Sequence, residues 1–238
     1  MEYRRIMSIE DPLFKQMHQL MQQVFPTEEV LEFNLWKEPL EDIGIRVFVV
    51  VKNNKVVGAT EYRYYEDFNV AMTDFTIIGK DGLGIGAFLA QKRLVDLNML
   101  ASANGKKLHG MFAEIYDPCK VEQYEFGSIK SMDPYVRREV LSHLGYKRLN
   151  FSYVHPSWKN DGEAVSGLDL CFLPIDHEEN ELNSSLIVQF LRRYYSVLPN
   201  KPRYWEEMIK DLEEKKSICS TFRDYSQSLE FFVQEINF

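Results

Sequence analysis

The chain is poor in cysteine. Cys119, Cys171 and Cys219 are the only ones in 238 residues, and no C-x-x-C brings two together. They read as free thiols in a reducing cytoplasm rather than as a disulfide framework. Basic charge is also short. Lys and Arg number 28 against 36 Asp and Glu, a formal net charge of -8. A nucleic-acid partner needs clustered cations for counterion release, so none is expected, whereas an acidic chain suits a cationic substrate such as an amine. Long hydrophobic runs are missing. The longest, Val47 to Val51, is far too short to span a bilayer, and MEYRRIMSIEDP at the start lacks the apolar segment of a signal peptide, so no membrane partner is expected. His18, His109, His143, His155 and His177 are scattered without metal-ligand spacing. Neither a G-x-S-x-G elbow nor a G-x-x-x-x-G-K-[ST] loop occurs.

What is present is a mixed α and β pattern of a length that suits one large domain or a domain with an appendage. Met1 to Ile9 reads as a first strand. Asp11 is a candidate N-cap with Pro12 at the first helical position, and Leu13, Met17, Leu20, Met21 and Val24 mark one buried helical face. Thr27 to Trp36 reads as a second short helix stopped by Pro39. Ile45 to Lys52 and Lys55 to Tyr65 read as a hairpin closed at Asn53-Asn54. After the glycine-rich centre come a helix ending at Asn104-Gly105, a strand over Leu108 to Ile115, and a polar loop from Cys119. A helix from Asp133 to Leu144, a strand from Lys147 to Val154, a long connection and a strand from Leu168 to Leu173 follow. Beyond Pro174, Ser185 to Ser196 and Pro202 to Lys216 read as two helices, and the tail from Ser217 is ambiguous. These last helices suit core packing, with a cover over an acceptor pocket or a homodimer contact as the other uses of their apolar stripes.

The stretch Ala71 to Met99 organises the rest. A β-rich run carrying Phe75, Ile77 and Ile78 enters a turn in which Gly79, Gly82, Gly84 and Gly86 fall within eight residues, and a long helix leaves it. Glycines let several backbone N–H groups point at one oxyanion, and the helix adds its unpaired N–H groups and dipole. Gly82 to Ala87 is therefore a candidate pyrophosphate cradle. In that helix Ile85, Phe88, Leu89, Val95 and Met99 fit the buried face, with Lys92, Arg93 and Asp96 mostly off it. Gly82, Gly84 and Ala87 also satisfy the dinucleotide fingerprint G-x-G-x-x-G/A. A dinucleotide domain, however, places its turn after the first strand of repeating βαβ units, and here an antiparallel hairpin comes first.

That order, with the G-x-G opening the main helix, resembles the GNAT N-acetyltransferases. FAEIYDP at Phe112–Pro118, MDPYVRREVLSHLGYKRLNFSYVHPSW at Met132–Trp158 and LDLCFLPI at Leu168–Ile175 resemble a bacterial subgroup of them. The resemblance covers roughly Ile45 to Ile175. It implies an α/β (α+β) GNAT acyl-CoA N-acyltransferase fold, a mixed, mostly antiparallel sheet flanked by helices. Residues 1–175 would form that domain, and 176–238 a C-terminal helical extension.

The resemblance further implies acetyl-CoA as co-substrate and a primary amine of a small molecule or peptide as acceptor. The thioester would meet the backbone of Phe75, Thr76, Ile77 and Ile78. The diphosphate would meet the amides of Gly82, Leu83, Gly84, Ile85, Gly86 and Ala87. A carboxylate is the usual base for the amine. Glu114, near the end of its strand, is the first candidate, with Asp117, Glu61 and Asp74 as rivals. Tyr116, Tyr153 and His155 are candidate proton donors, and Arg137 and Arg138 are candidate anion contacts. The chain departs from the pattern twice. Asp81 stands where many members have an Arg or Gln beside the pyrophosphate, and Leu141 stands where many have a tyrosine acid. A CoA- or acyl-carrier-binding module without turnover, and transfer of a longer acyl chain, remain open.

Overall fold

A computed structural model describes residues 1–25, 30–80, 82–117, 138, 141–158 and 161–221. Two compact units divide the chain, the boundary falling between Met111 and Phe112. Asp81, Cys119, Arg137, the loop at 120–131 and the tail beyond Thr221 lie outside the described residues.

The first unit contains β1 (Glu2–Ile6), α1 (Pro12–Val24), a 3-10 turn (Phe33–Trp36), α2 (Lys37–Glu41), β2 (Ile45–Lys52), β3 (Lys55–Tyr65), β4 (Val70–Ile78) and α3 (Ile85–Ala103). Its strands run in the order β1-β2-β3-β4, each pair antiparallel. Local chemistry explains the boundaries. The Asp11 carboxylate caps α1 by accepting from Leu13 N at 2.8 Å. Asn53 and Asn54 take φ of 52° and 60°, the paired left-handed conformation that closes a two-residue hairpin. Pro39 lies inside α2 rather than stopping a helix before it. It falls in the first turn, where a missing N–H costs nothing.

Alternation along β2 divides the core. Val47, Val49 and Val51 face Phe14, Met17 and Trp36, while Val50 packs with Ile85 and Leu89 of α3. Gly58 sets the distance between α3 and β3. A Cβ there would lie 2.5 Å from Ile85 Cγ2 and 2.9 Å from the Ile77 carbonyl oxygen. The expected buried face of α3 is corrected. Ile85, Leu89, Arg93, Leu97 and Ala101, one every fourth residue, form the buried stripe with Asp96 beside it. Val95 and Met99 are 51% and 59% exposed. The charged residues are inside because β2, β3 and β4 carry polar partners for them.

The second unit holds most of β5 (Gly110–Tyr116), then β6 (Lys147–Leu149), β7 (His155–Pro156), β8 (Ala164–Val165), β9 (Leu168–Pro174) and β10 (Glu181–Asn183). After these come α4 (Ser184–Tyr194), a 3-10 turn (Tyr195–Val197), α5 (Arg203–Glu213) and β11 (Ser217–Thr221). Its larger sheet has the order β5-β9-β6-β11-β10, and β7 and β8 form a separate hairpin. Phe112 stacks on Phe190 at 4.1 Å and tilts onto Phe172 at 4.8 Å, joining β5, α4 and β9. The strand expected over Lys147 to Val154 stops at Leu149. Ser220 and Thr221 pair with Leu149 and Arg148, and Asn150 N donates to the Cys219 carbonyl at 2.9 Å, so β11 occupies that edge.

Among the described residues no helix is long and apolar enough to cross a membrane. No group of His, Cys, Asp and Glu among them is placed to hold a metal ion.

Candidate functional site

In the first unit, Gly82 and Gly84 adopt φ of 73° and 66°, and Gly84 is the residue at which α3 begins. The left-handed backbone favours glycine at both positions. A Cβ built on either meets nothing within 4 Å, so this side of the turn is open. Gly84 has no side chain with which to cap α3, and no acidic residue stands in the first turn. The first intrahelical N–H to find a partner is that of Phe88, donating to Gly84 O at 3.1 Å. The N–H groups of Ile85, Gly86 and Ala87 precede that bond, as in helix termini that receive anions. Leu83 and Ile85 pack into the apolar cluster below, and Gly86 comes close to Ile78, whose Cδ1 would lie 3.0 Å from an added Cβ.

The strand feeding the turn is irregular. Glu61 faces Phe75 across β3 and β4, while Tyr62 faces Thr73, so Asp74 is an extra residue in β4. This bulge interrupts the ladder just before Phe75, Thr76, Ile77 and Ile78. Ile77 is buried, and Phe75 packs edge-on against Phe25 and Trp36. Burial lifts the Glu61 carboxyl well above the usual carboxylate range, and the neighbouring Asp74 charge adds to this against the opposing pull of Arg63.

The second unit gathers a separate cluster around Glu114. Tyr153 and Tyr195 both donate to its Oε1, their hydroxyls lie 2.7 Å apart, and His155 Nε2 lies 3.2 Å from its Oε2. Burial alone would raise the Glu114 carboxyl. The His155 charge and the donors His155, Tyr153 and Tyr195 outweigh it and leave the group below its ordinary value of 4.5. Burial alone would lower His155, but Glu114 reverses that and raises the imidazole above 6.5, with the local backbone assisting. Both groups are thus shifted toward their charged forms. Burial, then Glu114, pushes Tyr153 and Tyr195 well above 10, so they remain neutral donors. His155 Nδ1 is buried without a hydrogen-bond partner. Trp158, half exposed, packs its ring against His155, Tyr194 and Tyr195.

Tyr153, expected within the Lys147 to Val154 strand, lies beyond the end of β6, and His155 begins β7. Tyr116 ends β5 two residues after Glu114 and is half-buried. Asp117 is buried, its N–H donating to Gly167 O at 2.7 Å. Arg138, a candidate anion contact, is buried and pairs with Asp169 at 3.0 Å. Sequence reasoning missed Tyr195 entirely. It sits 81 residues from Glu114, in a stretch whose only signal is an apolar helical stripe.

No family profile and no curated protein matches the chain. Solved structures do resemble it. A GNAT-family protein from Bacteroides thetaiotaomicron superposes with a TM-score of 0.55 at 14% identity, over 84% of this chain and 98% of the other. A chimera built on the Vibrio cholerae spermidine N-acetyltransferase gives 0.49 at 14% identity, over 73% and 94%. The Escherichia coli ribosomal-protein-S18-alanine N-acetyltransferase gives 0.48 at 10% identity, over 73% and 94%. The first likeness is one of fold. The chain has the GNAT architecture, a mixed, mostly antiparallel sheet flanked by helices. It does not single out the subgroup suggested by the Phe112–Pro118 and Met132–Trp158 motifs.

Proposed function

We propose that the protein is a cytoplasmic acetyl-CoA-dependent N-acetyltransferase that acts on a primary amine of a small molecule or peptide. The observation that carries this reading is the glycine turn. Two left-handed glycines open on one side, followed by a nineteen-residue helix with a glycine at its N-cap, suit a diphosphate held by backbone N–H groups. The residues that would hold it are Gly82, Leu83, Gly84, Ile85, Gly86 and Ala87. The backbone of Phe75, Thr76, Ile77 and Ile78, beyond the bulge, would face the acyl group, where N–H donors stabilise charge developing on a carbonyl oxygen.

Proton handling falls to Glu114 and His155. The attacking amine must lose a proton, and the departing CoA thiolate must gain one. Glu114 is the acceptor in this scheme and His155, beside its Oε2, the donor. Tyr153 and Tyr195, their phenols shifted away from ionisation, orient the carboxylate. Tyr116 stands in reserve as a donor at the end of β5. A second reading, a CoA-binding module without turnover, is favoured by one observation: protein donors already engage both Glu114 oxygens.

Calorimetric titration with acetyl-CoA, with NADH as control, tests the cradle. Binding of acetyl-CoA alone supports the reading, and binding of NADH overturns it. Free thiol released from acetyl-CoA in the presence of an amine panel separates the enzyme from the non-catalytic module.

A further inference from the structure

Arg93 is 2% exposed, and among the described residues no carboxylate lies at ion-pair distance from it. A buried guanidinium without a counter-ion is costly, and an apolar side chain of similar length is the cheaper way to fill such a space. Packing α3 against the sheet therefore does not account for an arginine here. Its partners point to another role.

The two N–H bonds of Arg93 Nη1 are shared among three hydroxyls, those of Thr60 at 2.9 Å, Thr73 at 3.1 Å and Thr76 at 2.8 Å. Having accepted, the hydroxyls pass their own protons on. Thr60 Oγ1 donates to the Phe75 carbonyl at 3.0 Å, and Thr73 Oγ1 donates to the Glu61 carbonyl at 3.1 Å. Glu61 and Phe75 are the pair at which the β3–β4 register shifts, and Thr73 and Thr76 bracket the extra residue Asp74. A bulge disrupts the local ladder. Here one cation, acting through threonine hydroxyls, engages a carbonyl on each strand of the pair beside the bulge.

We infer that Arg93 is a positioning residue: through Thr60, Thr73 and Thr76 it holds the β4 bulge in the shape that presents the Phe75–Ile78 backbone to the acyl group. The acyl-facing part of this inference rests on the transferase reading above. These contacts are made from Nη1, while Nε has no partner; a lysine ammonium ends one bond short of that nitrogen, so Arg93→Lys should behave like Arg93→Met.

The test uses the full chain with Arg93→Met, Arg93→Lys, Thr73→Val and Thr73→Ser. Amide hydrogen exchange without ligand reads the bulge directly. Exchange at Phe75 to Ile78 should accelerate about tenfold or more in Arg93→Met while α1 and β2 keep their protection. Thr73→Val should show a smaller change at the same amides, and Thr73→Ser, which keeps the hydroxyl, should restore wild-type exchange. In thiol-release kinetics, Arg93→Met should lower kcat by about tenfold or more, with the KM for acetyl-CoA within about twofold, because the diphosphate contacts lie elsewhere. Unchanged exchange at Phe75 to Ile78, or a uniform loss of protection across the first unit, overturns the inference. So does a raised KM with unchanged kcat. If the wild type releases no thiol with any amine, the transferase reading fails and takes the acyl-facing role with it. The exchange measurements still decide whether Arg93 holds the bulge.

Discussion

Each unit buries a charged cluster, and the two are built from opposite materials. Under α3, Arg46 is bidentate on Asp96, which also accepts from Tyr62 at 2.7 Å, and Arg93 is answered by hydroxyls. Around Glu114 the charge is an anion, answered by two phenols and an imidazole. Arginine does not change its charge near neutral pH, whereas histidine does. The first cluster is therefore a fixed brace that shapes β3 and β4. The second contains a histidine that its carboxylate partner shifts toward the charged form. The difference is between a cluster whose cations are arginines and one whose cation is an imidazole.

Removing the counter-ion from the brace should have the largest effect. Asp96→Ala leaves the half-buried Arg46 and the buried Tyr62 hydroxyl without their shared acceptor, and urea unfolding should show a loss of about 2–3 kcal/mol. Much smaller destabilisation would mean that water reaches Arg46, and the contrast between the clusters would weaken. Next comes the proton cluster. His155→Gln should lower kcat roughly 100-fold, about 2.7 kcal/mol of barrier, with circular dichroism unchanged. A rate near wild type would remove His155 from the reaction.

A third measurement concerns the turn. Gly84→Ala places a side chain on a left-handed backbone and should cost about 1–2 kcal/mol of stability while weakening acetyl-CoA binding. Unaltered binding would argue against the cradle. The smallest effect is on pH dependence. Glu114 is held below 4.5, so its contribution to stability is present above that value and fades as pH falls through its folded pKa. His155 is held above 6.5, so its contribution is complete below that value and fades as pH rises through its folded pKa. The melting-temperature difference between wild type and Glu114→Gln should peak between pH 4.5 and 6.5 and shrink on either side. A flat difference would show that Glu114 and His155 are not coupled.

The parts of the fold legible beforehand were those governed by neighbours in sequence. The Asp11 cap, the Asn53-Asn54 turn, and the β2 and β3 spans follow from side chains a few residues apart. The buried face of α3 was misread because apolar periodicity counts Val95 and Met99 as inward and Arg93 and Asp96 as outward. Thr60, Thr73 and Arg46, far away in sequence, reverse that preference by satisfying the charges. β11 was hidden because SICST is short and half polar, and it becomes a strand by pairing with β6 and β10. Glu114 was picked by its place on a strand, yet nothing local announced its donors at separations of 39 and 81 residues.

By itself, the sequence determined the hairpin, the glycine turn and the helix after it, because backbone φ preferences and capping act over a few residues. It also determined an acidic chain low in cysteine. Only the tertiary structure decided that Asp74 is a bulge, that Arg93 braces it, and that Glu114 meets His155, Tyr153 and Tyr195. Those outcomes depend on strand register and on the cost of an unpaired buried charge, and neither exists until distant segments are packed together.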